Sequence, residues 1–185
     1  MTKLHLTETT NKPLEVIVAF YLNQRPNSSG RMIEDIWSWD YQKLEYTHDY
    51  IQWLFPLKQK SRFNLNAAVL NDDVIEAFRT NEHLRTRLEK SLKVMLSFYG
   101  LQCNELGSAD IKITKSDEYQ QRKPDWVEPG NHNYLRITRI LTSLSILGLK
   151  NYAQAFFNCL KQIYLEEGKN IGSETYAYWD SASLC

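Results

Sequence analysis

His132, Arg136, Arg139 and Ser143 recur at intervals of three or four residues, the spacing that puts side chains along one strip of a helix. On a wheel of about 100° per residue, Asn133, Ile137, Ile140, Leu141, Leu144 and Leu147 cover one face of residues 132–148. Leu135, Thr138, Thr142, Ser145, Ile146 and Leu149 cover much of the opposite side. The strip occupies the remaining sector of about 60°. A helix that is apolar on two sides belongs at the centre of a bundle, and arginines there need partners. Glu45, His48, Asp49 and Gln52 offer them. On a helix over 41–55, Glu45 with Asp49 and His48 with Gln52 are i, i+4 pairs, and a carboxylate matches the planar fork of arginine. Two uses follow. The strips form an internal network that sets helix register, or they floor a pocket for an anionic group such as a carboxylate or phosphate. The candidate ligand-binding set is Glu45, His48, Asp49, Gln52, His132, Arg136 and Arg139.

His48 and His132 with Glu45 and Asp49 also carry the groups for acid–base work. Glu45-x-x-His48 has the spacing of half a di-iron carboxylate site, but the chain holds no second copy. Zinc-protease, phosphate-loop, dinucleotide and nucleophile-elbow motifs are absent. No cofactor and no metal are therefore expected, and no reaction is named. Trp37, Trp39, Tyr41 and Trp53 suit either the core or an aromatic groove for a peptide. The basic run 58–62 reads as a solvated face.

The elements that position these residues follow from periodicity and breakers. The first helix starts near Pro13 and carries Leu14, Ile17, Val18, Tyr21 and Leu22. Residues 25–30 form a loop, and 31–39 a short helix. Asp40 caps a helix that Pro56 stops, and Thr47 and Asp49 are places where it can break in two. Asn71 or Asp72 starts a helix to about Arg79. Thr80 caps a longer one that stops at Gly100. A long polar loop fills 107–131, with a short alternating strand at 110–114. Two helices over 132–148 and 151–168 close the chain, followed by a weak turn at 175–179. The expected organisation is a flexible tip at 1–13, one helical domain at 14–168 and an extension at 169–185.

Composition fits this. With 7 Gly and 5 Pro among 185 residues, breakers are too few for a many-stranded fold. The expected class is all-α (mainly α): a compact single-domain multi-helix bundle. Its 22 basic and 22 acidic residues cancel, which argues against a general nucleic-acid binder. Three widely spaced cysteines suit a reducing compartment. No signal peptide or membrane-spanning run is evident, so a cytoplasmic location is expected.

Residues 48–57 (HDYIQWLFPL) and 131–141 (NHNYLRITRIL) resemble the hallmark runs of the opioid growth factor receptor conserved domain. Residues 95–100 (MLSFYG), Tyr119, Arg122 and Trp126 are similar to it too, in the same order, so that the likeness covers about 14–167. The resemblance implies a mainly helical domain. The animal receptor binds the opioid peptide Met-enkephalin, and its domain precedes a variable tail. This chain looks like a short, microbial-type relative without the tail repeats. The resemblance carries no catalytic residues. It implies a non-catalytic binding or interaction domain for a peptide or protein, the alternative being a small-anion binder or enzyme at the His48/His132/Arg136 region.

Overall fold

A computed structural model describes residues 15–106 and 110–185. Among these are ten α-helices and one two-stranded antiparallel sheet, so the fold is mainly α as expected. The expected flexible tip and the start of the first helix at Pro13 lie outside the described residues. What is described of that helix is α1 (Val16–Tyr21), with Ile17, Val18, Phe20 and Tyr21 buried. Then come α2 (Ile33–Trp37), α3 (Tyr41–Tyr46), α4 (Ile51–Leu54), α5 (Asp72–Thr80) and α6 (Glu82–Phe98).

Asp40 caps α3 by accepting from the Lys43 backbone N–H at 2.8 Å, and Asn71 caps α5 through Val74 N–H at 2.9 Å. The cap of α6 is Asn81 rather than the expected Thr80. Asn81 Oδ1 accepts from His83 and Leu84, while the Thr80 hydroxyl is already donated to the Glu76 carbonyl inside α5.

The helix expected over 41–55 breaks at Thr47, one of the two places where the sequence allows it. Thr47 is extended (φ −94°, ψ 129°), which ends α3 and sends the chain through 47–50 before α4 begins. Glu45 and Asp49 are therefore not a helical pair.

The long loop expected at 107–131 is largely structured. Gly100, at φ +74°, turns the chain out of α6 and directly into β1 (Leu101–Leu106). This strand pairs antiparallel with β2 (Asp110–Lys115), in the register Leu101↔Lys115 through Leu106↔Asp110. β2 contains the alternating stretch that the sequence marks; β1 follows the helix stop without a turn signal of its own. α7 (Tyr119–Arg122) and a 3₁₀ turn (Lys123–Asp125) come next, anchored where Trp126 Nε1–H donates to the Tyr99 carbonyl at 3.1 Å.

α8 (Asn133–Ile146), α9 (Lys150–Ile171) and α10 (Ser173–Ser183) close the fold and pack on one another. Ile137, Ile140, Leu141 and Leu144 bury one side of α8 in the main core, with Leu88, Leu92, Phe156 and Leu160. A second side meets α10, where Ser145 Oγ reaches the Ala182 carbonyl and Trp179 Nε1–H donates to the Tyr134 carbonyl. The sequence marks only a turn here; the structure has three turns of helix with Trp179 fully buried.

Candidate functional site

α8 presents its polar strip to the broken segment between α3 and Pro56, and most of the strip grips backbone. Arg136, 5% exposed, donates from Nη1 to the Leu44 carbonyl (3.1 Å) and from Nη2 to those of Glu45 (3.2 Å) and Thr47 (3.0 Å). These are acceptors that the end of α3 leaves without intrahelical donors. One turn on, Arg139 Nη1 donates to the Phe55 carbonyl at 3.1 Å, and Ser143 Oγ to that of Pro56 at 3.0 Å. The sequence points to a carboxylate strip as the partner; the main partner is the chain break itself.

Carboxylate partnership is present but secondary. Glu45 stands 3.7 Å from Arg136 and 3.3 Å from His132 Nε2, and it accepts from the Asn133 carboxamide at 3.1 Å. The Arg136 guanidinium lies over the Tyr50 ring, 5.6 Å from its centre. His48 Nδ1 is 3.4 Å from Arg136 Nη2. A guanidinium has only donors, so this contact requires Nδ1 as acceptor, with the imidazole proton on Nε2. The His48 and His132 rings meet edge to face at 5.5 Å. Burial pushes the His132 pKa below its ordinary value; Arg136 and His48 add to this and Glu45 opposes it. Burial also lowers the pKa of Arg139, which stays far above neutrality as a guanidinium does.

Asp49 does not join this group. The break turns it toward the 27–31 loop, where its carboxylate accepts from Ser29 Oγ and pairs with Arg31 Nη1, both at 2.6 Å. Gln52 is buried in α4; its Nε2 is 3.5 Å from Ser61 Oγ and its Oε1 has no hydrogen-bond partner. Among the described residues no group of three His, Cys, Asp or Glu side chains is placed to hold a metal ion.

Over the strip lies a groove of about 460 Å³ between α8, α4 and the loop after Pro56. Its lining includes five of the seven expected residues: His48, Gln52, His132, Arg136 and Arg139. Glu45 stands behind it and Asp49 is elsewhere. Its walls are apolar, from Ile51, Leu57, Phe63 and Leu135. Phe63 is 82% exposed and Leu135 63%. Both were missed as site residues. Phe63 sits in a polar loop, and the wheel assigns Leu135 to a buried face of α8.

The conserved-region model of the opioid growth factor receptor matches residues 10–179, nearly the whole chain. The chain belongs to the opioid growth factor receptor conserved-region family. The opioid growth factor receptor of Rattus norvegicus is 38% identical over 156 residues, covering 81% of this chain and 25% of that protein. The Homo sapiens receptor is 36% identical over 154 residues, with 81% and 22% covered. Opioid growth factor receptor-like protein 1 of Xenopus tropicalis is 38% identical over 152 residues, with 80% and 28% covered. The chain spans about a quarter of the length of these relatives. No solved structure matches it. The two runs that resemble the opioid growth factor receptor family, 48–57 and 131–141, pack directly on each other and both line the groove. No helix among the described residues is long and apolar enough to cross a membrane.

Proposed function

We propose that this chain is a non-catalytic binding domain whose groove over α8 holds a short segment of a peptide or protein. The observation that carries the proposal is the groove's make-up. Exposed Phe63 and Leu135 wall a cleft of about 460 Å³, and His48, Gln52, His132 and Arg139 line it. An apolar cleft with a few convergent polar groups is the usual form of a ligand site. Holding a ligand rather than transforming it fits a family in which several relatives carry a receptor's name. Arg136 belongs to the scaffold in this reading, and His48, Gln52, His132 and Arg139 to the ligand.

The test is an NMR titration of the isotope-labelled chain with Met-enkephalin and with a library of short peptides. Shifts should cluster on His48, Leu135 and Arg139, and Leu135→Asp should abolish them. Ligands whose shifts lie elsewhere, or that bind the Leu135→Asp chain equally well, overturn the proposal.

A further inference from the structure

The groove's electrostatics are one-sided. Two arginines and two histidines contribute to its lining, and among the described residues no Asp or Glu does. The charge of Arg136 is already answered: its donors are spent on three carbonyls, with Glu45 beside it. Arg139 differs. Of the five N–H donors of a guanidinium, one is bonded among the described residues, to the Phe55 carbonyl. No carboxylate pairs with it among the described residues. It is half-buried and pays desolvation without a counterion, which an arriving anion would supply.

A second unmet need lies in the same groove. Gln52 is 5% exposed, and its Oε1 is a buried acceptor without a donor among the described residues. Thr138 and Thr142, which also line the groove, spend their hydroxyls on the Tyr134 and Thr138 carbonyls of α8 itself. The groove therefore lacks one anion and one N–H, and offers apolar walls at Leu57, Phe63 and Leu135.

Resting on the binding reading above, we infer that the groove recognises the C-terminal residue of a peptide. The free carboxylate sits on Arg139, the backbone N–H of the same residue faces Gln52 Oε1, and an apolar side chain packs between Leu57, Phe63 and Leu135. A chain-terminal residue carries all three groups on one Cα. An internal acidic residue carries its carboxylate on the side chain, so the anion and an apolar side chain cannot share one Cα. A phosphate dianion suits a site with more than one uncompensated cation, and this groove has one.

Three probes test this on the full chain: N-acetyl-phenylalanyl-leucine with a free carboxylate, its C-terminal amide, and N-acetyl-leucyl-aspartyl amide, whose only carboxylate is on a side chain. The free acid should shift the Leu135 methyls and the Arg139 Nε–H. The amide and the side-chain acid should bind about tenfold more weakly or worse, the scale of one charge-assisted hydrogen bond. Arg139→Gln should bring the free acid down to the affinity of the amide. The acid–amide comparison uses the natural chain, so it holds even if Arg139→Gln fails to fold. Equal binding of acid and amide, with Leu135 still shifting, overturns the carboxylate inference and leaves the groove as a peptide site. Equal binding of the side-chain acid overturns the terminal assignment. If no probe moves a groove resonance at saturating concentration, both the inference and the binding reading fall.

Discussion

Arg136 Nη2 donates to the carbonyl of Thr47 at 3.0 Å, across 89 residues of sequence, and so holds the chain where α3 ends. With the carbonyls of Leu44 and Glu45 on the same guanidinium, this buried side chain acts as the missing end of the helix. Arg136→Ala should therefore destabilise the fold by about 3–5 kcal/mol, because the Glu45 and Thr47 carbonyls lose their donor and the Glu45 carboxylate loses its arginine, keeping only His132 and Asn133. Arg136→Lys keeps the charge and loses the fork, and should recover part of the loss. Urea unfolding of both variants measures this; a loss under about 1 kcal/mol for the alanine would mean that water replaces the guanidinium.

His132 gives the stability a pH dependence. Burial, with Arg136 and His48 near, holds its pKa below the ordinary 6.5, against the pull of Glu45 and Glu128. The unfolded chain therefore takes up this proton first as the pH falls. The His132 contribution is present above about pH 6.5 and is lost as the pH drops through the lower folded-state value. His132→Gln should flatten that part of the curve. Parallel stability curves for the two chains between pH 5 and 8 would remove His132 as its source.

Gly100 stands where a side chain has no room. At φ +74°, an added Cβ would lie 2.7 Å from the Tyr119 Cα. Gly100→Ala should cost more than about 2 kcal/mol, combining left-handed strain with a backbone clash. Gly130, at φ +75° with open space around its Cβ position, is the control. Gly130→Ala should cost about 1 kcal/mol. Thermal unfolding of the pair separates conformational strain from collision.

Trp179 ties α10 to α8. Its ring meets Tyr134 edge-on at 5.6 Å, and its indole N–H is bonded to the Tyr134 carbonyl. Trp179→Ala should destabilise by about 3–5 kcal/mol. A chain shortened after Gly172 should show a comparable loss by denaturant titration. An unchanged midpoint would mean that α10 contributes nothing to the stability of the fold.

The strip on α8 was legible because period and residue type agreed: charged groups at three- and four-residue intervals on a helix otherwise apolar. The caps Asp40 and Asn71 were legible for the same local reason. What the strip binds was not. A break at Thr47 was among the places the sequence allowed, and α3 ends there; that its open carbonyls are met by donors from Arg136, 89 residues away, was not legible. Sequence spacing on one element carries no trace of that. Asp49 was misplaced for the same reason, since its carboxylate follows the break to Ser29 and Arg31. β1 was hidden because it follows Gly100 without a turn of its own. Leu135 was hidden because an exposed leucine and a buried one look alike on a wheel.

The grip of Arg136, Arg139 and Ser143 is on main-chain oxygens, and every amino acid supplies one. Side chains over 44–56 that neither fill the core nor face the cleft are thus under little compulsion from α8. Their identities can drift while the loop keeps its course. Selection can accordingly retune the cleft at positions such as His48 or Gln52 without first reinventing the clasp beneath it. The course of the chain over 44–56 and the chemistry of its surface are thus set by different atoms.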